Sequence, residues 1–301
     1  MESVLISGGT GLIGRYLAAR LKEKGYKVAL LSRDLKQETD FQVYHWDPAK
    51  SKIDPAAVSD ADYIIHLAGA NIGERRWTRE RRKLILDSRL KSGDILLSSV
   101  SGNIRKPRAF ISASAVGYYG AVTSDKIFYE EDLPSGDFLG ETCRKWEQSA
   151  DRFEEIGIRT IKIRTGVVLS SHGGALAKMA IPVKMGVGSA MGNGKQYMPW
   201  IHIEDLCNIY IMAIEDVKMR GAYNAAAPDQ RTNKEFTESL AHALGKPFWF
   251  PNIPAFALRM LFGEMSDILL KGSRVSSGKI ISAGYSFKFP DLENALNDLF
   301  R

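Results

Sequence analysis

The chain lacks most of the features that would place it outside the ordinary globular class. Among 301 residues only Cys143 and Cys207 are cysteines. Two thiols build neither a disulfide framework nor a four-thiolate zinc site. A reducing compartment, and with it a cytoplasmic location, is the expectation. No run of 18 apolar residues occurs, which excludes a membrane-spanning helix. Met1-Glu2-Ser3 leads directly into an apolar strand, without the basic stretch and apolar core of a signal peptide. Internal repeats and low-complexity tracts are missing too. Charge of one sign is not in large excess: 41 Lys and Arg against 35 Asp and Glu leave +6. Such a balance does not argue for a nucleic-acid binder, which clusters its charge on one face. With 45% hydrophobic and 25% charged residues, disorder is excluded, and the length supports a large core in one or two domains.

What is present is alternation. Val4–Ile6, Val28–Leu31, Val43–Trp46, Tyr63–Leu67, Ala109–Ile111 and Thr160–Ile163 read as strands. Residues 12–21, 79–100 and 140–156 read as helices. This rhythm builds βαβ units and a parallel sheet covered on both faces. Beyond Gly166 it changes. Gly173-Gly174 and the glycines of 186–194 mark loops, a helix runs to about Asp216, and Tyr223–Ala225 is a strand. Thr232 and Glu235 have the spacing of a capping box for a helix reaching Leu244. Pro247, Pro251 and Pro254 punctuate a linker, after which short helices lead to Phe300. The expected fold is α/β, a doubly wound parallel sheet over residues 1–223, with a smaller, mainly helical C-terminal lobe over 248–298.

The first strand runs into Ser7-Gly8-Gly9-Thr10-Gly11-Leu12-Ile13-Gly14 and then into a helix. Gly9, Gly11 and Gly14 satisfy G-x-G-x-x-G, and Gly8, Gly11 and Gly14 satisfy the wider spacing. A tight turn, an approach free of Cβ atoms and a helix start with free N–H groups together suit a dinucleotide's pyrophosphate. Gly8, Thr10, Gly11, Leu12, Ile13 and Gly14 are therefore cofactor-site candidates. The second strand ends Ser32-Arg33-Asp34. A guanidinium there, helped by a serine hydroxyl, holds a ribose 2′-phosphate, so NADP is favoured over NAD. Asp34, one residue on, leaves the NAD reading open.

These residues resemble the short-chain dehydrogenase/reductase superfamily in its extended, epimerase-like branch. Other segments carry the likeness further: His66-Leu67-Ala68-Gly69-Ala70-Asn71, Ile111 to Gly120, and Trp200-Ile201-His202-Ile203-Glu204-Asp205. The sequence departs from the family at its catalytic pair. Counting back from Glu147 puts Leu139 where the family has tyrosine and Cys143 where it has lysine, and Arg89 stands at the family's structural asparagine. This combination, with Pro254–Arg259 and Ala283–Phe287 near the C-terminus, resembles an atypical epimerase-family subgroup whose own C-terminal domain covers the substrate side. Its members are sometimes labelled nucleoside-diphosphate-sugar epimerases or cell-division inhibitors. The resemblance implies a Rossmann-like sheet and NADP(H). It implies that Leu67, Ala68 and Gly69 line the ribose, that Arg89 reaches the cofactor, and that Val168 meets the nicotinamide carboxamide through its backbone.

For chemistry, Ser114 matches the family's catalytic serine position. Tyr118 is the nearest phenol and Cys143 a possible thiol acid. Each has a structural alternative: a satisfied serine, a pocket wall, an inert buried cysteine. His202 with Asp205 reads as an anchor for the substrate-side lobe more readily than as an acid–base pair. The basic cluster from Arg75 to Lys83 reads as a solvated helix start, with Arg75 and Arg76 able to face the pocket. No metal site is expected. Expected partners are a small-molecule substrate, with no nucleic acid and no membrane; a homodimer is left open. Two functions follow: an NADP-dependent oxidoreductase or epimerase acting on a small polar or sugar-like substrate, or a non-catalytic NADP(H) sensor or scaffold.

Overall fold

The computed structural model describes residues 1–36 and 38–300. The main sheet takes β1 (Ser3–Ser7), β2 (Lys27–Ser32), β3 (Gln42–Asp47), β4 (Lys52–Ile53), β5 (Tyr63–His66), β6 (Ala109–Ala115), β8 (Arg159–Thr165) and β11 (Gly221–Ala225). Two small parallel pairs lie outside it: β7 (Ile127–Phe128) with β12 (Arg274–Val275), and β9 (Val167–Leu169) with β10 (Trp200–His202). The spatial order of the large sheet is β11-β8-β6-β5-β1-β2-β3-β4. Every pair in it is parallel except β3 with β4. The order reverses at β1, which pairs with both β2 and β5. In a doubly wound sheet that reversal opens a crevice at the strands' carboxyl ends.

Side chains alternate across each strand, and the two faces fill separately. Val4, Ile6, Ile65, Ile111 and Ile163 point to α1 (Leu12–Glu23) and α6 (Ile203–Glu215). Leu5, Ile64 and Phe110 point the other way, to α2 (Ala56–Ser59), α3 (Arg79–Ser101) and α4 (Phe138–Glu155). A third cluster joins β9 and β10 to α5 (Gly174–Lys184), α7 (Asn233–Ala243) and α11 (Leu292–Phe300) through Leu169, Trp200, Phe236, Leu240 and Leu296. The remaining C-terminal elements are α8 (Ala255–Phe262), α9 (Asp267–Leu270) and α10 (Gly278–Ser282).

Local signals held at the helix ends. Thr232 and Glu235 make the capping box of α7 in both directions, and Gly25 follows α1 with φ +87°. Two local features carried no clear sequence signal. Helix α5 occupies the stretch between the glycine loops at 173–174 and 186–194, to which the sequence assigned no element, because Leu176 and Val183 have an apolar cluster to fill. In α3 the buried stripe is Ile85, Arg89, Ser92, Gly93, Leu96 and Val100, while Leu84 faces solvent. Gly93 permits the helices to pack closely, since a Cβ there would lie 2.5 Å from Ser149 Oγ on α4.

Asp205 is fully buried and binds the C-terminal lobe. It accepts hydrogen bonds from the Tyr285 hydroxyl (2.7 Å), the Lys288 N–H (2.8 Å) and the Phe289 N–H (3.0 Å). His202 Nδ1 accepts the Glu204 N–H at the start of α6, and its Nε2 lies 3.3 Å from Asp298 Oδ2 on α11. Both residues are anchors.

Candidate functional site

The glycine loop closes on itself with Gly11 N–H donating to Gly8 O at 3.0 Å. Gly8 sits at φ +72°, and a Cβ on it would lie 2.9 Å from the Ala68 amide nitrogen. Only glycine combines that backbone conformation with that contact. A Cβ on Gly14 would run into Gly8 O and the Gly9 backbone, so α1 reaches the loop only because position 14 is bare. The start of α1 is left open. Its N-cap Gly11 offers no side-chain hydrogen bond, and its first turn holds no acidic residue. By contrast α3, α4 and α7 are capped by Thr78, Asp137 and Thr232. Free N–H groups and a positive helix end, unopposed by any carboxylate, fit a diphosphate.

The other sequence candidates gather around this point. Leu12, Ile13, Leu67 and Val168 pack, partly exposed, on one apolar cluster. Ser32 and Arg33 lie at the end of β2, next to the loop. Ser32 is buried and its Oγ accepts the Asp34 N–H at 3.1 Å. Asp34 turns back on its own segment, accepting the Lys36 N–H at 2.9 Å. Arg33 is exposed, which leaves a guanidinium beside the crevice. Arg89 is buried and donates to Ile85 O (2.8 Å) and Ala70 O (3.2 Å). Its guanidinium lies 4.7 Å from the Trp146 ring centroid and against Gly69, where a Cβ would sit 3.1 Å away. Burial pulls its pKa down. Its partners are carbonyls and a ring, not a carboxylate.

The three catalytic candidates lie against α4 and β8 in the environments their structural alternatives describe. Strand parity puts Ser114 on the α4 face of β6, where its hydroxyl donates to Glu147 Oε1 at 2.7 Å, buried. Glu147 in turn takes a fork from Arg164, Nε to Oε1 at 2.8 Å and Nη2 to Oε2 at 2.9 Å. Arg164 also donates to the Tyr119 hydroxyl (2.8 Å), which donates to Asn224 Oδ1 (2.8 Å). Tyr118 lies under the same guanidinium, 3.5 Å from ring centroid to Cζ, and burial raises its phenol pKa. Cys143 is buried beneath Gly117, and desolvation pushes its thiol up to about 12. A thiol in that state supplies no charge at neutral pH. Ser114 and Tyr118 are thus parts of a buried ion-pair network, and Cys143 is a neutral wall.

Sequence reading missed the group beneath the crevice. His66, at the end of β5, lies between Ser7 Oγ (2.6 Å from Nδ1) and Ser92 Oγ (3.0 Å from Nε2) and stacks on Phe110. This bridge ties β1, β5 and α3 together, and so spaces the glycine loop from Arg89. The three residues are 59 and 26 positions apart, and nothing local links them. Burial lowers the His66 pKa from 6.5 to about 4. The native state therefore holds the ring neutral while the unfolded chain takes a proton below 6.5. The contribution is full above pH 6.5 and is lost as pH falls through 4, about 3 kcal/mol in all. Urea unfolding of wild type and His66→Gln at pH 7 and pH 4.5 checks this: the wild type should lose more stability on acidification than the variant.

The basic cluster is a clasp. Arg76 donates to Leu261 O (2.6 Å) and Met260 O at the end of α8, and Arg82 pairs with Glu264. Arg81 donates to Glu74 Oε2 at 2.8 Å and to Asn71 O. Arg76, read as part of a solvated helix start and able to face the pocket, holds the C-terminal lobe. Trp77 meets Phe138 edge-on at 4.9 Å beside it. A cavity of about 610 Å³ lies elsewhere, at the amino ends of the strands by Tyr63, Arg108 and Arg220.

The NAD dependent epimerase/dehydratase family model matches residues 4–226, and a domain of unknown function, DUF1731, matches residues 253–299. The mouse epimerase family protein SDR39U1 is 35% identical over 306 residues, covering 98% of this chain and 99% of that protein. The crystal structure of human SDR39U1 (isoform 2) with NADPH superposes with a TM-score of 0.87 at 31% identity, covering 99% of this chain and 98% of the other. A nucleoside-diphosphate sugar epimerase from Corynebacterium glutamicum gives a TM-score of 0.81 at 29% identity, covering 99% of this chain and 58% of its own.

Proposed function

The chain belongs to the NAD dependent epimerase/dehydratase family, and on that premise we propose that it is an NADP(H)-binding oxidoreductase or epimerase for a small polar or sugar-like substrate, working without a Tyr-x-x-x-Lys pair. The observation that carries the reading is the bare, uncapped start of α1 with an exposed guanidinium beside it. Gly8, Thr10, Gly11, Leu12, Ile13 and Gly14 would hold the pyrophosphate. Ser32 and Arg33 would hold the 2′-phosphate, in keeping with the NADPH in the human relative's structure. Leu67, Ala68 and Gly69 would line the ribose, Arg89 would donate to the cofactor from α3, and Val168 would meet the carboxamide. When bound, the nicotinamide supplies hydride chemistry.

This chain's own part is placement. The Glu147–Arg164 pair holds Ser114 and Tyr118 in position, and the clasp of Arg76 and Arg82 holds the lobe over the substrate side. Loss of a general acid costs about 10²–10⁴-fold, so turnover would be slow by the family's standard. The non-catalytic sensor stays as a second reading because Ser114 already donates to Glu147 and Cys143 is held neutral.

Calorimetry with NADPH and NADH tests the cofactor reading. Arg33→Glu should weaken NADPH about 100-fold, from a lost charge-assisted fork, and NADH only slightly; equal losses would refute the assignment. Turnover is tested by NADPH absorbance with a panel of carbonyl compounds and nucleotide sugars. Oxidation of NADPH supports the enzyme. Tight binding with no turnover across the panel supports the sensor.

A further inference from the structure

Among the described residues, the end of α5, the 247–254 segment and α8 carry apolar side chains that are left uncovered. Ile181 on α5 and Met185 at its C-cap are exposed, as are Trp249, Phe256, Met260 and Leu261, with Trp249 at 69% and Met260 at 75%. The backbone brings these segments together. Met191 and Ile253 form a parallel bridge, with Ile253 N–H donating to Ala190 O at 2.8 Å and Gly192 N–H to Ile253 O at 2.9 Å. Parallel pairing sends the residues upstream of both positions in the same direction. Val187 and Trp249 each lie four residues upstream of that bridge. Trp249 touches Phe250 with ring centroids 5.0 Å apart, and α8 begins two residues after Ile253. Contiguous exposed apolar groups of this kind mark interaction surfaces.

The tracts that build it carry cations and no acid, and Glu264, just beyond Leu261, is paired with Arg82. No Asp or Glu occurs between Glu155 and Glu204, nor between Glu238 and Glu264, and the patch is built from those two tracts. The exposed lysines and arginine in these tracts are Lys178, Lys184, Lys195, Lys246 and Arg259, with Lys184 5.6 Å from the Phe300 ring centroid. Arg259 lies one turn from Phe256 on α8, and Lys178 one turn from Ile181 on α5, so cations flank the apolar groups. A second copy of the chain would bring cation against cation. An anionic bilayer meets both features: tryptophan, phenylalanine and methionine enter the headgroup boundary while the lysines and arginine contact anionic headgroups.

We infer that this face, formed by the end of α5, the 247–254 segment and α8, docks the protein on an anionic lipid surface without spanning it. The sequence reading, which expected no membrane partner, considered only a buried span. Flotation of the full chain with phosphatidylcholine vesicles, with and without phosphatidylglycerol, tests the inference. Binding to the anionic vesicles alone, weakened by salt, is expected. Trp249→Glu, and separately Lys184→Glu with Lys246→Glu, should each lower the bound fraction about tenfold while NADPH affinity stays at the wild-type value. As a second readout, bromine-labelled phosphatidylcholine in the anionic vesicles should quench wild-type fluorescence, and the quenching should vanish in Trp249→Phe. Equal flotation with both vesicle types, no flotation, or quenching unchanged in Trp249→Phe would overturn it. So would a wild-type dimer in sedimentation velocity that Trp249→Glu converts to monomer.

Discussion

Replacing Glu147 with alanine is expected to cost about 3–5 kcal/mol of folding stability. Glu147 and Arg164 are both buried and joined by a two-bond fork. Removing the carboxylate leaves a guanidinium in the interior with only Tyr119 and the Glu130 carbonyl as acceptors, and frees the Ser114 hydroxyl. Most of the cost is desolvation of the orphaned charge rather than the worth of the pair. The double change Glu147→Leu with Arg164→Met should consequently be less damaging than Glu147→Ala alone. Urea unfolding of the three proteins checks it. A double variant less stable than Glu147→Ala would show that Arg164 works through its other partners.

The second large effect is expected from a single methyl group. Gly14→Ala puts a Cβ against Gly8 O and the Gly9 backbone, and backbone cannot swing aside as a side chain does. Either α1 shifts off the sheet or the loop opens. Overpacking of this kind costs about 1–3 kcal/mol. The free N–H groups at the start of α1 lose their aim, so NADPH should bind about 100-fold more weakly. Gly102→Ala is the control: it lies past the end of α3 with φ −84° and open space around it, and both stability and affinity should stay near wild type. If Gly14→Ala binds NADPH as the wild type does, the loop is not where the pyrophosphate sits.

Much of the architecture was legible because its determinants are local. The alternation of apolar runs with helical periodicity, the glycines between β1 and α1 and the Thr232–Glu235 cap each lie within a few residues, and each appears in the structure where the spacing put it. The candidate site was legible where backbone carries it. It was less legible where side chains must choose partners. Ser114, Tyr118 and Cys143 stand near the expected elements, yet their environment comes from Glu147, Arg164 and Gly117 on other elements. Helix α5 was hidden because its glycine-rich flanks are a stronger local signal than its three buried apolar residues.

Order along the chain was thus enough to specify a doubly wound sheet with a glycine turn at the carboxyl end of its inner strand β1, since periodicity and backbone freedom are properties of short segments. Protonation and partnership were not. That His66 is neutral, that Arg89 is buried among carbonyls, that Arg76 clasps α8 and that the two acid-free tracts meet on one surface all depend on packing between residues far apart in the chain. Burial and charge proximity, the quantities that set these properties, come into being only when the layers close.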